Sequence, residues 1–388
     1  MTVSIGLVLI VGAVLAYANG SNDVSKGIAT LVGSGVTDYR RAIAWGTAWT
    51  AVGGLLGAVL AGAMLSTFGT GLLSPGTTPT YAGALAALIG AGGWVLVATW
   101  KGLPVSTTHA IIGSLVGVAT LAYGTEAVRW SSLGGKVVLP LLASPIISLV
   151  ITTVLLRVTG RRNFAEASTD CLCAQVEPPM VAVGASTQSA ALLSQPPHLR
   201  IITGSTEACA KSQPTALRLT LDHLHWLTSG ATSLARGMND GPKMVALVAA
   251  ASVLLGGAGV STPTMFGLVT VAMVVGSFVA GRRVTHLLAE KVTAIDHREG
   301  FAANLVTAGL VIAGAVYGLP MSTTHVSSGG IFNAGALRGS LNRKTLRDIL
   351  LAWAVTLPAA AAIGMVAYAL MRLAEAKAHP ISLDAGLG

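Results

Sequence analysis

Apolar positions in this chain fall in long unbroken runs, not in an alternating or one-face pattern. No Asp, Glu, Lys or Arg occurs in 2–22, 42–100, 102–125, 137–156, 244–281, 300–337 or 349–371. Clusters of Gly, Pro, Ser and Thr, such as 69–80 and 256–264, divide the longest runs. A membrane crossing takes about 20 apolar residues. The pattern therefore predicts helices near 3–34, 42–66, 80–100, 104–122 and 133–157, and a second set near 224–255, 262–281, 300–317, 320–336 and 347–371. The first helix of each set is expected to be broken, because an Asn-Asp pair lies inside it just after a Gly. Between the sets, 158–222 is polar and rich in Ser, Thr, Pro and Gln, and is expected to be a poorly ordered linker. The expected organisation is a first transmembrane half at 1–157, a linker at 158–222 and a second half at 223–388.

Composition strengthens this reading. Charged residues make up 10% of the 388, against about 25% in a typical soluble domain. That excludes a cytosolic enzyme, a disordered chain and a secreted disulfide scaffold. The 47 glycines suit closely packed membrane helices. The fold class is an all-α polytopic membrane protein, with the lipid bilayer as its first partner. The net charge is +9, but no basic stripe with interleaved aromatics occurs, so no nucleic-acid partner is expected. Cys171, Cys173 and Cys209 all lie in the linker and are expected to be reduced thiols.

The placement of charge predicts orientation. Arg40 and Arg41 follow the first span, Arg282 and Arg283 the seventh, and Arg338, Arg343, Lys344 and Arg347 the ninth. One crossing per span puts these clusters and the linker on the same side. The opposite loops carry almost no charge. By the positive-inside rule the linker is cytoplasmic and both termini face out, as in a multi-pass protein of a bacterial-type plasma (inner) membrane. The N-terminus lacks a basic leading segment and is not expected to be a cleaved signal peptide.

Two motifs occur twice. Gly20-Ser21-Asn22-Asp23-Val24-Ser25-Lys26 returns as Gly237-Met238-Asn239-Asp240-Gly241-Pro242-Lys243, an offset of 217. Gly102-Leu103-Pro104-Val105-Ser106-Thr107-Thr108-His109 returns as Gly318-Leu319-Pro320-Met321-Ser322-Thr323-Thr324-His325, an offset of 216. Two motifs sharing nearly one offset indicate a duplicated half. Five spans per half is odd, so the halves should have opposite orientation. The charges agree, since Arg40 and Arg41 align with Gly257 and Ala258, and Arg282 and Arg283 with Ser66 and Thr67. Inverted-topology repeats, with broken helices meeting at the bilayer midplane, are an architecture of secondary transporters.

The motif chemistry suits an anion and a cation together. Pro followed by Ser-Thr-Thr reads as a helix start whose hydroxyls, free N–H groups and positive dipole end can hold an oxyanion. The bland alternative, helix packing, weakens once Ser106, Thr107 and Thr108 recur as Ser322, Thr323 and Thr324. Asp23 and Asp240 are intramembrane carboxylates, which cost about 2.5–3.5 kcal/mol to insert. They are candidates for the coupling ion, with Asn22 and Asn239 beside them. Lys26 and Lys243 lie three residues on, on the same helical face. They either neutralise the aspartates or help hold the anion. His109 and His325 are either proton relays or packing residues. Glu299 and Asp296 read as interfacial charges. A membrane-embedded hydrolase or transferase has no reason to exist twice in one chain, and a channel has no need of an Asp at an anion site, so neither an enzyme nor a channel is expected.

Asn22-Asp23 with Thr30-Leu31-Val32-Gly33-Ser34, and both Gly-Leu-Pro-x-Ser-Thr-Thr-His segments, closely resemble the inorganic phosphate transporter (PiT) family. The resemblance covers both hydrophobic halves and leaves out the linker. It implies a symporter importing inorganic phosphate with H⁺ or Na⁺ by alternating access, with no other cofactor and no structural metal. It implies that the Asn-Asp pairs are ion and phosphate ligands and the Ser-Thr-Thr triplets phosphate ligands. Sulfate or another tetrahedral oxyanion is the alternative substrate, and a homo-oligomer is left open. The family more often carries Asn where Lys26 and Lys243 stand. Two lysines cancel two aspartates, which points toward proton coupling or few bound metal ions.

Overall fold

The structure, a computed structural model, describes residues 2–60, 62–69, 71–160, 171–177, 198–205, 215–254 and 260–378. In the first half, α1 (Thr2–Asp23), α2 (Ser25–Gly33), α3 (Tyr39–Leu60), α4 (Gly62–Gly69), α5 (Tyr81–Trp100), α6 (Thr107–Tyr123) and α7 (Leu139–Gly160) follow in order. The second half contains α8 (Leu221–Val253), α9 (Thr262–Ala280), α10 (Arg282–His286), α11 (His297–Tyr317), α12 (Thr323–Arg338) and α13 (Arg343–Ala378).

Among the described residues, seven helical stretches are long and apolar enough to cross a membrane, Ser4–Gly33, Tyr39–Leu60 and Thr262–Ala280 among them. Of the ten predicted spans, those at α6, α8 and α12 fall outside this set. Helices α6 and α12 have 17 and 16 residues, short of a full crossing. Helix α8 has 33 but carries Asp222, Arg236, Asp240 and Lys243. These three hold most of the motif residues, and their motif side chains are buried in protein. Polar groups at membrane depth are tolerated in that setting.

The expected breaks are corrected in detail. The first span is interrupted only at Val24, between α1 and α2. Its counterpart α8 is one continuous helix through Pro242. Pro242 deletes a single backbone donor, and packing of α8 against α3 and α11 holds the surrounding turns helical. The larger interruptions precede the triplets, at 101–106 and 318–322. Each has a glycine in the left-handed region at or next to its start, Gly102 with φ 72° and Gly318 with φ 68°. A side chain at either position would be strained.

The packing pattern is consistent with the inverted repeat. Helix α1 packs on α9, and α8 on α3, so the first helix of each half lies against the second helix of the other. Likewise α13 lies on α5 and α6, and α7 on α11 and α12. The halves interlock. Small residues allow this approach: Gly20 abuts the Met273 carbonyl, and its repeat counterpart Gly237 abuts the Thr50 carbonyl.

The linker expectation is also corrected. Strands β1 (Cys171–Glu177), β2 (His198–Gly204) and β3 (Thr215–Thr220) form an antiparallel sheet in the order β2-β1-β3. Six- and seven-residue runs containing β-branched and apolar residues suffice for strands, and the Pro- and Ser-rich sequence around them obscured the pattern. Cys171 is disulfide-bonded, contrary to the expectation of reduced thiols. Arg40, Arg41, Arg282 and Arg283 are exposed, in the first turns of α3 and α10. Asp38 caps α3, accepting from the Arg41 N–H at 3.0 Å, and that hydrogen bond holds its carboxyl below the usual carboxylate range.

Candidate functional site

The local sequence builds each half-site in the same way. Ser106 precedes α6 in extended conformation and its hydroxyl accepts from the His109 N–H at 3.2 Å. Ser322 does the same for α12 with His325, also at 3.2 Å. The two serines are thus helix caps. The following threonines lie in the first helical turn, where the free N–H groups are. Ser106, Thr107, Thr108, Ser322, Thr323 and Thr324 are all buried.

Tertiary packing brings the two halves into direct contact at these motifs. The Thr324 hydroxyl donates to the Val105 carbonyl at 2.7 Å. Lys243 Nζ donates to Thr108 Oγ1 at 2.7 Å, as well as to Asp240 Oδ1 and the Met321 carbonyl, each at 3.2 Å. Each of these two contacts joins one repeat to the other. Each triplet is therefore buried in the protein and touches a residue of the opposite half.

The aspartates are linked through a residue that motif reading passed over. The Asn19 amide donates to Asp23 Oδ2 at 2.9 Å, to Asp240 Oδ2 at 3.1 Å and to Thr107 Oγ1 at 3.1 Å. Thr107 in turn donates to Asp23 Oδ2 at 3.2 Å. Both carboxylates and one triplet thus share a single network.

The lysines are not equivalent. Lys26 Nζ donates to Asp23 Oδ1 at 2.7 Å, to Asn22 Oδ1 at 2.6 Å and to the Asn22 carbonyl at 2.8 Å. An ammonium has three donors, so Lys26 of α2 is spent on the last two residues of α1, across the break at Val24. Lys243 alone of the pair reaches a triplet. The asparagines fasten the interrupted segments. Asn22 donates to Thr99 Oγ1 and the Leu103 carbonyl at 3.0 and 2.9 Å, and accepts from the Val105 N–H at 3.2 Å. Asn239 donates to Asp240 Oδ1 at 2.8 Å and to the Met321 carbonyl at 3.0 Å.

His109 and His325 pack against each other edge to face, with ring centroids 4.6 Å apart, and His325 packs on Trp353 at 3.9 Å. The Trp353 indole N–H donates to the Pro104 carbonyl at 3.2 Å. Asp296 and Glu299 lie away from this network. They form the capping box of α11 and both pair with Arg338, in keeping with their reading as interfacial charges.

Arg236 was also missed. It is buried four residues before Asp240, where Asn19 stands before Asp23. Extending the 217-residue offset one position upstream of the Gly would have paired Asn19 with Arg236.

The sequence profile of the phosphate transporter family matches residues 19–364, which takes in both half-sites. This chain belongs to the phosphate transporter family. Members similar to it include a protein described as a phosphate permease from Pyrococcus abyssi (strain GE5 / Orsay), 28% identical over 94% of this chain and 97% of its own. The chloroplastic inorganic phosphate transporter 2-1 of Arabidopsis thaliana is 30% identical over 92% of this chain and 70% of its own. A solved structure described as the sodium-dependent phosphate transporter superposes with a TM-score of 0.73, covering 96% of this chain and all of that one at 23% identity. The chain shares the fold of that structure.

Proposed function

We propose that this chain imports inorganic phosphate as a secondary active symporter, by alternating access of the two interlocked halves about the buried triplets. It is a carrier and not an enzyme in this reading. The observation that carries the proposal is the meeting of duplicated hydroxyl-capped helix starts from opposite halves, with Lys243 bridging to Thr108. Two helix N-termini aimed at one place favour a small oxyanion. The names of the relatives point to phosphate over sulfate. Ser106, Thr107, Thr108, Ser322, Thr323 and Thr324, with Lys243, Asn22 and Asn239, are the proposed phosphate surroundings. Lys26 acts indirectly, by holding Asp23.

Asp23 and Asp240 are the proposed coupling groups. Each already pairs with a lysine, at 2.7 and 3.2 Å, which supports a proton as the coupling ion. Sodium, on which the solved relative depends by its description, is the second reading. His109 and His325, packed ring to ring beside the triplets, are the proposed proton route. The linker faces the cytoplasm of a cell with a bacterial-type inner membrane and both termini face out, a reading supported by the exposed basic clusters.

Labelled phosphate uptake into proteoliposomes tests this. An inward proton gradient is expected to drive accumulation when choline replaces sodium, an uncoupler to abolish it, and sulfate not to compete. Loss of all uptake in choline overturns proton coupling and the histidine route together. Failure to accumulate phosphate under either ion gradient overturns the symporter.

Thr107→Ala and Thr323→Ala are expected to raise the KM for phosphate about tenfold each, the loss of about one charge-assisted hydrogen bond. Unchanged KM in both variants would remove the triplets from the binding site.

A further inference from the structure

Arg236 poses a problem that the phosphate site does not solve. It is 1% exposed, in the middle of α8. Among the described residues it makes no ion pair, and its Nε has no hydrogen-bond partner. A buried cation without a bonded carboxylate is costly. Its partners are neutral oxygens. Nη2 donates to Thr50 Oγ1 at 2.8 Å and to Ser277 Oγ at 3.5 Å. Nη1 donates to the Asn19 backbone carbonyl and to Asn19 Oδ1, both at 3.4 Å.

These four oxygens come from α1, α3 and α9 and surround the guanidinium with carbonyls and hydroxyls. That is the donor set of a hard-cation site, and transporters use such backbone and side-chain oxygens for sodium. The cage also lies beside the aspartates, because the Asn19 side chain that accepts from Arg236 donates to both Asp23 and Asp240. The two halves differ here: the repeat counterpart of Arg236 is the neutral Asn19.

We propose that Arg236 is a tethered cation, its guanidinium permanently filling an oxygen cage that would otherwise bind a sodium ion. With Lys26 and Lys243 it brings three fixed positive charges to two carboxylates, a formal surplus of one. The protein thereby needs one fewer mobile cation to load phosphate. This deepens the symporter reading and rests on it for the transport arm of the test, though not for the binding arm.

Removing the tether should open the cage. The purified protein, Arg236→Ala and Arg236→Lys are compared for bound ²²Na⁺ without phosphate. Arg236→Ala is expected to bind one more Na⁺ per chain than wild type, and Na⁺ but not choline should raise its melting temperature. Arg236→Lys keeps the charge and should match wild type. In proteoliposomes Arg236→Ala should show a Hill coefficient for Na⁺ higher by about one, and one more positive charge moved per phosphate. No additional Na⁺ bound by Arg236→Ala, or the same gain in Arg236→Lys, overturns the proposal. If Arg236→Ala is too unstable to purify, Arg236→Ser adds an oxygen to the cage and is read by the same Na⁺-specific rise in melting temperature, whose absence also overturns it. Wild-type protein that fails to move phosphate sinks the proposed function alone, because the binding arm contains no phosphate.

Discussion

Asp23→Asn is expected to lower coupled phosphate uptake by about 100-fold or more while leaving folded, membrane-inserted protein. A 100-fold loss corresponds to about 2.7 kcal/mol at the rate-limiting barrier. The substitution keeps the shape but removes the charge and the proton affinity, and it turns one accepting oxygen into a donating NH2, which must displace one of the donors from Lys26, Asn19 or Thr107. Breaking a buried ion pair ordinarily costs about 3–5 kcal/mol, because the remaining ion is stranded. Lys26 is not stranded, since two of its three donors already go to Asn22, at 2.6 and 2.8 Å. The fold should therefore survive. The companion variant Asp23→Asn with Lys26→Met separates the two roles of the carboxylate. Removing both charges should recover thermal stability without recovering uptake. Uptake is measured per folded protein, scored by gel filtration and melting. If the double variant transports like wild type, Asp23 is only a counter-ion for Lys26 and the coupling assignment fails. The same outcome is expected at Asp240, where Lys243 is also held by Thr108 and Met321.

The second large effect concerns packing rather than chemistry. Gly20→Ala is expected to cost about 3 kcal/mol or more of stability, the upper end for overpacking a filled interior, and to abolish uptake. A Cβ built at Gly20 would sit 2.0 Å from the Met273 carbonyl oxygen on α9, and one at Gly276 would sit 2.0 Å from the Tyr17 carbonyl oxygen on α1. Those atoms are backbone, so relief requires the whole helices to separate by more than 1 Å. Gly20 is two residues from Asn22, so the separation would displace the network that joins Asp23, Asn19 and Asp240. A shift of that size at a positioned site costs about 100-fold in rate. Melting in detergent and uptake by the surviving fraction check this. A contrast is Gly6→Ala, where nothing lies within 4 Å of the added carbon; its stability should be unchanged. Wild-type stability for Gly20→Ala would mean that α1 and α9 do not pack as described.

Much of the site was legible before any coordinates. The aspartates, lysines, asparagines and triplets stood out because charges and hydroxyl clusters are rare in apolar runs and because each occurred twice at one offset. Asn19 and Arg236 were not legible in that way. Each looks ordinary alone, and their importance comes from reaching across to another helix. Asn19 matters because it touches Asp240, 221 residues away, and Arg236 because Thr50, 186 residues away, receives its donor. The sheet in the linker was missed for a different reason: its strands are short and depend on pairing with partners distant in sequence.

The sequence alone determined that this is a multi-helix membrane chain in which two polar motifs each occur twice, because water-free surroundings make every polar residue in an apolar run conspicuous. Only the tertiary structure decided which of those polar groups share one network. It set Lys26 apart from Lys243, made α8 continuous across Pro242, and put a guanidinium among four neutral oxygens. These outcomes depend on helix-to-helix distances of a few ångströms, which backbone approach at Gly20, Gly237 and Gly276 fixes and which no local pattern along the chain encodes.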